Sequence, residues 1–235
     1  MNVLERDREK ELGSYIGRLL RENFGRGPES VFASINKPFI TVYITNFLSP
    51  MEKALVNQEQ SIYVEKTRDM LMETLIEEIK AYIKIHIGMD IEEFYYDWNL
   101  DSPSGMFVAI SAENNQSIID SYENQDEIHN EIARVSKEAE KQPDTIYSYF
   151  INSRTLLIIR TGFLVNIEKE LIKLGFQDTL RVTKRNLEKR LIHEHRYNFE
   201  TYLDAQLTDF FVDWDFERDR SSIIFILKPN KKSGR

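Results

Sequence analysis

The sequence predicts an α+β protein built from two tandem repeats, each running helix-strand-strand-helix-strand-strand. Three observations carry that reading. An aromatic run ending in Asp-Trp occurs twice, as Phe94-Tyr95-Tyr96-Asp97-Trp98-Asn99 and Phe210-Phe211-Val212-Asp213-Trp214-Asp215, and the two copies hold both tryptophans of the chain. At their spacing of 214 − 98 = 116 residues, further identities align without gaps, among them Thr45/Thr161, Phe47/Phe163, Leu48/Leu164, Glu52/Glu168, Lys53/Lys169, Leu71/Leu187 and Leu75/Leu191. In both halves the apolar period also alternates between helical and strand-like in the same order. Each repeat is expected to form a four-stranded, mostly antiparallel sheet with helices on one face. Fused like domains are expected to be related by a pseudo-twofold axis. The expected division is 1–112 for the first repeat, 113–125 for a polar linker and 126–235 for the second repeat.

In the first repeat, Leu4, Leu12, Tyr15, Ile16, Leu19, Leu20 and Phe24 recur at three- and four-residue spacing, one stripe of an amphipathic helix. Gly25-Arg26-Gly27-Pro28 stops it, because glycine suits the C-cap and proline cannot continue a helix. Two strands follow, Val31–Asn36 and Phe39–Leu48, joined by a tight turn at Asn36-Lys37-Pro38. The second is apolar on both faces, which suits a strand covered on both sides or one at an interface between the repeats. Ser49-Pro50-Met51-Glu52 combines an N-cap serine, a first-turn proline and an acid, and starts a helix over Pro50–Asn57. The longest helix is expected from Val64 to Ile87, burying Leu71, Leu75, Ile79, Tyr82 and Ile83 and ending at Gly88. Ile91–Asn99 and Met106–Ser111 then form a hairpin across Asp101–Gly105, with Phe94, Tyr96 and Trp98 on one face.

The second repeat restarts the pattern. Ile128, Ile132, Val135 and Ala139 mark a shorter helix ended by Gln142-Pro143. Thr145–Ile151 and Thr155–Phe163 are its first strands and Ile167–Leu174 a short helix. Leu180–Tyr202 is the long helix, and Leu207–Asp215 with Ser222–Lys228 the last hairpin. The loops diverge: Gly27-Pro28 becomes Gln142-Pro143, and Ser102-Pro103-Ser104-Gly105 becomes Arg218-Asp219-Arg220-Ser221. A site housed in loops therefore survives in only one half.

Composition narrows the function classes. A net charge of −8 with a pI near 5.2 lacks the basic excess of a general nucleic-acid binder. There is no cysteine, which removes disulfides, thiolate metal sites and a cysteine nucleophile and suits a reducing cytoplasm. No apolar run reaches the roughly 18–20 residues of a membrane span, and the N-terminus lacks the basic start and apolar core of a signal peptide. These features lead to the expectation of a cytoplasmic protein without direct membrane insertion. The short basic tail Lys228–Arg235 reads as a frayed terminus.

No Walker, Gly-x-Ser-x-Gly or Gly-x-Gly-x-x-Gly element is present, so no catalytic residue and no cofactor is assigned. Asp97 and Asp213 point away from the Phe94-Tyr96-Trp98 face; each is expected to hold a backbone donor of the neighbouring hairpin turn rather than to act as a base or cation ligand. The tryptophans are expected in the core. His193-Glu194-His195 places its histidines two apart on a helix, on different sides, so no metal site is assigned and a solvated helix face is expected. The residues singled out for ligand or partner binding are Tyr95, Asp97, Trp98, Phe211, Asp213, Trp214, Arg26 and Pro28.

Gly17–Val31, Phe47-Leu48-Ser49-Pro50-Met51-Glu52-Lys53 and Glu93–Asn99 resemble the bacterial MpsC-like family, named after a component of a sodium-translocating, membrane-potential-generating system. The resemblance covers Glu11–Ser111 closely, and the second half resembles the same domain in diverged form. It implies an accessory role beside membrane proteins of ion or inorganic-carbon transport and supplies no catalytic residues. The first expectation is therefore a non-enzymatic cytosolic protein that acts by binding a protein partner, such as subunits of a membrane transport system. A small-ligand sensor with a pocket between the repeats, and an enzyme using Asp97 or Asp213, are the alternatives. The assembly is expected to be a monomer with internal pseudo-twofold symmetry or a homodimer.

Overall fold

A computed structural model describes residues 3–112 and 121–230. The chain divides into two compact units, Met1–Ser117 and Ile118–Arg235. Residues 113–120 of the expected linker and 231–235 of the basic tail lie outside the described residues.

The first unit runs α1 (Val3–Phe24), β1 (Ser30–Asn36), β2 (Phe39–Thr45), α2 (Pro50–Asn57), α3 (Ser61–Ile87), β3 (Ile91–Asn99) and β4 (Ser104–Ser111). Its antiparallel sheet has the order β1-β2-β4-β3. Alternation along the strands sends Ile40, Val42 and Ile44 of β2, Tyr96 and Trp98 of β3, and Phe107 and Ala109 of β4 to one face. There they form a continuous core with Leu12, Ile16, Leu19 and Leu20 of α1 and Leu75, Ile79 and Ile83 of α3. Ser49 caps α2 as expected: its hydroxyl accepts from the Glu52 amide at 3.3 Å, and the Glu52 carboxylate accepts from the Ser49 amide at 2.7 Å. The long helix begins three residues earlier than expected. Its buried line is Val64, Arg68, Met72, Leu75, Ile79, Ile83 and Ile87, while Leu71 and Tyr82 are only half-buried beside it.

The second unit runs α4 (Gln125–Ala139), β5 (Thr145–Asn152), β6 (Thr155–Thr161), α5 (Asn166–Lys173), α6 (Gln177–Glu194), α7 (Arg196–Leu203), β7 (Ala205–Asp215) and β8 (Arg220–Pro229). Its antiparallel sheet has the matching order β5-β6-β8-β7. The duplication reaches the irregularities of the backbone. The ladder slips between Ile91 and Glu93 in β3 and between Leu207 and Asp209 in β7, positions 116 apart. Left-handed residues recur at the same offset as Asn46/Gly162, Glu59/Gly175 and Gly88/Asp204. Only some of these are glycines, so the shared conformation comes from the common chain path rather than from residue type.

One expected element is corrected. The single helix over Leu180–Tyr202 is two helices broken at His195, which closes α6 and opens α7. Its amide still bonds to the Leu191 carbonyl at 3.0 Å, but its carbonyl accepts from Asn198 at 3.0 Å in a tighter turn. The ring is held from outside the helix: Nδ1 lies 2.6 Å from a Glu131 oxygen and Nε2 3.3 Å from a Glu138 oxygen, both on α4. The expected solvated face therefore holds for exposed His193 but not for His195, whose side chain is 14 % exposed.

Candidate functional site

In each unit the chemistry concentrates where a cation, a carboxylate and an indole meet between the short helix and the long helix that follows it. In the first unit Glu52, in the opening turn of α2, and Arg68, on the buried line of α3, form a two-point ion pair: Nε to Oε1 at 2.7 Å and Nη2 to Oε2 at 3.0 Å. Nη2 also donates to the Phe47 carbonyl, 2.9 Å away and two residues past the end of β2. The guanidinium carbon lies 4.6 Å from the Trp98 ring centre and 4.8 Å from that of Phe47. Nη1 has no hydrogen-bond partner among the described residues; the aromatic faces around it supply the compensation for its charge. Burial raises the Glu52 carboxyl, but hydrogen bonds and charge from Arg68 outweigh this and hold it below the usual carboxylate range.

The second unit repeats the arrangement at the same offset with a different cation. Lys184 stands where Arg68 does, and its ammonium lies 2.8 Å from Glu168, the counterpart of Glu52. Trp214 and Phe163 flank it at 5.6 and 5.0 Å. Glu168 keeps half of the capping box, accepting from the Val165 amide at 3.0 Å. Lys184 also bonds to Glu140, at the end of α4. Burial pushes the Lys184 ammonium down to about 8 and raises the Glu168 carboxyl.

Around this shared centre the second unit replaces apolar core by a charged cluster. Arg160 donates to Ser221 and Ser136, each at 2.8 Å, and pairs with Glu188 at 2.7 Å. The residues 116 positions earlier are Ile44, Gly105, Leu20 and Met72. Gly105 is needed in the first unit because a Cβ there would sit 2.4 Å from the Trp98 ring. With serine at that position, Trp214 instead stacks over Phe216, 6.4 Å away.

A lysine lowered toward neutrality beside a raised carboxyl is an acid–base pair on paper. Lys184, Glu168, Arg160 and Glu188 are however all at least 95 % buried and already engaged with one another. The arrangement ties α2 to α3, and α5 to α6, across the end of the sheet.

A protein-family model described as "Na+-translocating membrane potential-generating system (MpsC)" matches residues 5–113 and again residues 121–229. The chain belongs to the MpsC family. Comparison with curated proteins and with solved structures returned no match. The two matched segments start 121 − 5 = 116 residues apart, so this MpsC chain carries two copies of the family domain in the register read from Trp98 and Trp214.

The residues singled out from the sequence do not converge. Trp98 and Trp214 are core residues at 2 % and 1 % exposure. Tyr95, Asp97, Phe211 and Asp213 are buried on the opposite face of β3 and β7. Asp97 accepts from the amide of the next residue, Trp98, at 2.7 Å. Asp213 instead pairs with Arg181, which also donates to the Trp214 carbonyl at 2.9 Å. Arg26 is exposed and donates to the Leu48 carbonyl at 3.1 Å, and Pro28 lines a surface groove. Sequence reasoning missed Arg68 and Lys184. The signal was there: like charges at matched positions, each on the apolar line of a helix, with a carboxylate retained sixteen residues before each.

A serine–histidine contact in the second unit is also structural. The Ser148 hydroxyl lies 2.7 Å from His129 Nε2 and from the Tyr122 hydroxyl, and 3.2 Å from Gln125 Nε2. Donating to His129 and accepting from the other two saturates it, and Ser148 is 2 % exposed. Among the described residues no group of three or more His, Asp or Glu is placed to hold a metal ion.

Proposed function

We propose that this MpsC-family protein is a non-enzymatic accessory component that works by binding a protein subunit of a sodium-translocating membrane system on its cytoplasmic side. Among the described residues no helix is long and apolar enough to cross a membrane, so contact through a partner is the simplest route to such a system. The observation that carries the proposal is apolar character kept on the outside. Met51 and Ile167, 116 positions apart, are 75 % and 67 % exposed; Phe32 and Tyr147, on β1 and β5, are 59 % and 50 % exposed. Core packing accounts for buried residues shared by the two copies, but it exerts no hold on side chains in water. Burial against another protein does. An enzymatic role finds less support, because Asp97 and Asp213 are buried and engaged.

Affinity purification of the tagged full chain from detergent-solubilised membranes tests the proposal. Wild type is expected to recover membrane transport subunits, and a Met51→Ser, Ile167→Ser variant at least tenfold less of them. Recovery of soluble proteins alone, or equal recovery by the variant, contradicts it.

A further inference from the structure

A second stripe of α1, distinct from the one in the core, faces the edge strand β1 and makes a groove of about 500 Å³. Lys10, Ser14, Arg18 and Arg21 line it from the helix, and Pro28 and Ser30 from the strand side. Their three- and four-residue spacing puts the helix residues on one face. The helix lies close to the strand because Gly13 and Gly17 occupy the seam; a Cβ on Gly13 would sit 3.0 Å from the Val31 carbonyl oxygen.

Among the described residues, Lys10, Arg18 and Arg21 have no carboxylate partner. Arg18 rests over the Tyr15 ring at 5.8 Å, which holds it at the rim. The one acid of the lining, Glu29, accepts from Asn46 at 2.7 Å and is thereby turned to another task. In a chain of net charge −8, three unpaired cations along one groove are a local reversal of the field, and such a reversal concentrates anions.

We propose that this groove binds a phosphate monoester no larger than a mononucleotide, one per chain. Arg18 and Arg21, one helical turn apart, offer two guanidiniums to a group with three terminal oxygens and close to two negative charges, a better match than a carboxylate with two oxygens and one charge. Lys10, roughly 16 Å along the helix from Arg21, adds to the field at the other end of the groove. The volume lies in the ordinary range for small-ligand sites, roughly 300–1,000 Å³. The second unit provides the contrast. At its α4–β5 seam Tyr122, Gln125 and His129 converge on Ser148, and the positions 116 after Lys10, Arg18 and Arg21 are Asp126, Arg134 and Lys137, of which Arg134 is paired with Glu131. The proposed site belongs to the first unit and is independent of the partner surface proposed above.

Calorimetric titration of the full chain at low salt tests this with two probes, AMP and vesicles of phosphatidylcholine containing phosphatidic acid, whose headgroup is also a phosphate monoester. The expected result is AMP binding at one site per chain, weakened at least tenfold in an Arg18→Gln, Arg21→Gln variant and unchanged in Arg134→Gln, with circular dichroism confirming that both variants fold. Binding of the vesicles but not AMP, with the same loss in the double variant, assigns the phosphate to a lipid headgroup. The proposal is overturned by binding of neither probe, by two sites per chain, or by binding that the double variant leaves intact.

Discussion

Arg68 shows how one buried charge is held. Its side chain is fully enclosed, and a guanidinium survives there only because Glu52, the Phe47 carbonyl and aromatic faces replace water around it. Arg68→Met leaves Glu52 partly buried without its cation and is expected to cost about 3–5 kcal/mol. Arg68→Lys keeps the charge and loses the two-point geometry, a smaller cost of about 1–2 kcal/mol. Lys184 in the second unit is the natural precedent for that milder change. Urea unfolding of the full chain measures both, and equal stability of the two variants would contradict the role given to the ion pair.

At the scale of elements, most of the fold was legible because helices and strands announce themselves by period. The Ser49–Glu52 capping box, the Gly88 stop and the Phe94-Tyr96-Trp98 face all follow from local rules. What local rules could not reach were features set by distant partners. The α6–α7 break depends on Glu131 and Glu138, more than fifty residues away in sequence, and helical periodicity continues across it. The candidate site was legible only in part: the matched glutamates stood out as identities, but their cations differ in type and so escaped notice.

The same break carries a pH dependence. Burial lowers the His195 pKa, but the hydrogen bonds its ring donates to the Glu131 and Glu138 carboxylates, with their charge, outweigh it, and the net shift is upward from 6.5. A raised folded pKa means stabilisation fully present below the unfolded value and lost as pH rises through the folded one. The stability gap between wild type and His195→Gln is therefore expected to be larger near about pH 6 than near about pH 8.5. His129 shifts the other way, downward, mainly through burial, but it is common to both proteins and cancels in the difference. A gap that widens toward high pH would show that the ring is not held as an imidazolium between the two carboxylates.

For the whole molecule, one domain plan is used twice with different interiors. Strand order, the slips in β3 and β7, and the left-handed backbone positions are shared between the units. So is the carboxylate–cation–indole centre. The first unit surrounds that centre with Ile44, Met72 and Leu20, the second with Arg160, Glu188 and Ser136. A centre kept through so large a change of surroundings is an organising feature of the fold. Hydrogen exchange on the full chain tests that claim most directly, comparing wild type with Glu52→Gln and with Glu168→Gln. The expected result is lost protection in α2, α3 and β3 for the first variant and in α5, α6 and β7 for the second. Unchanged protection in both sets of peptides would contradict it.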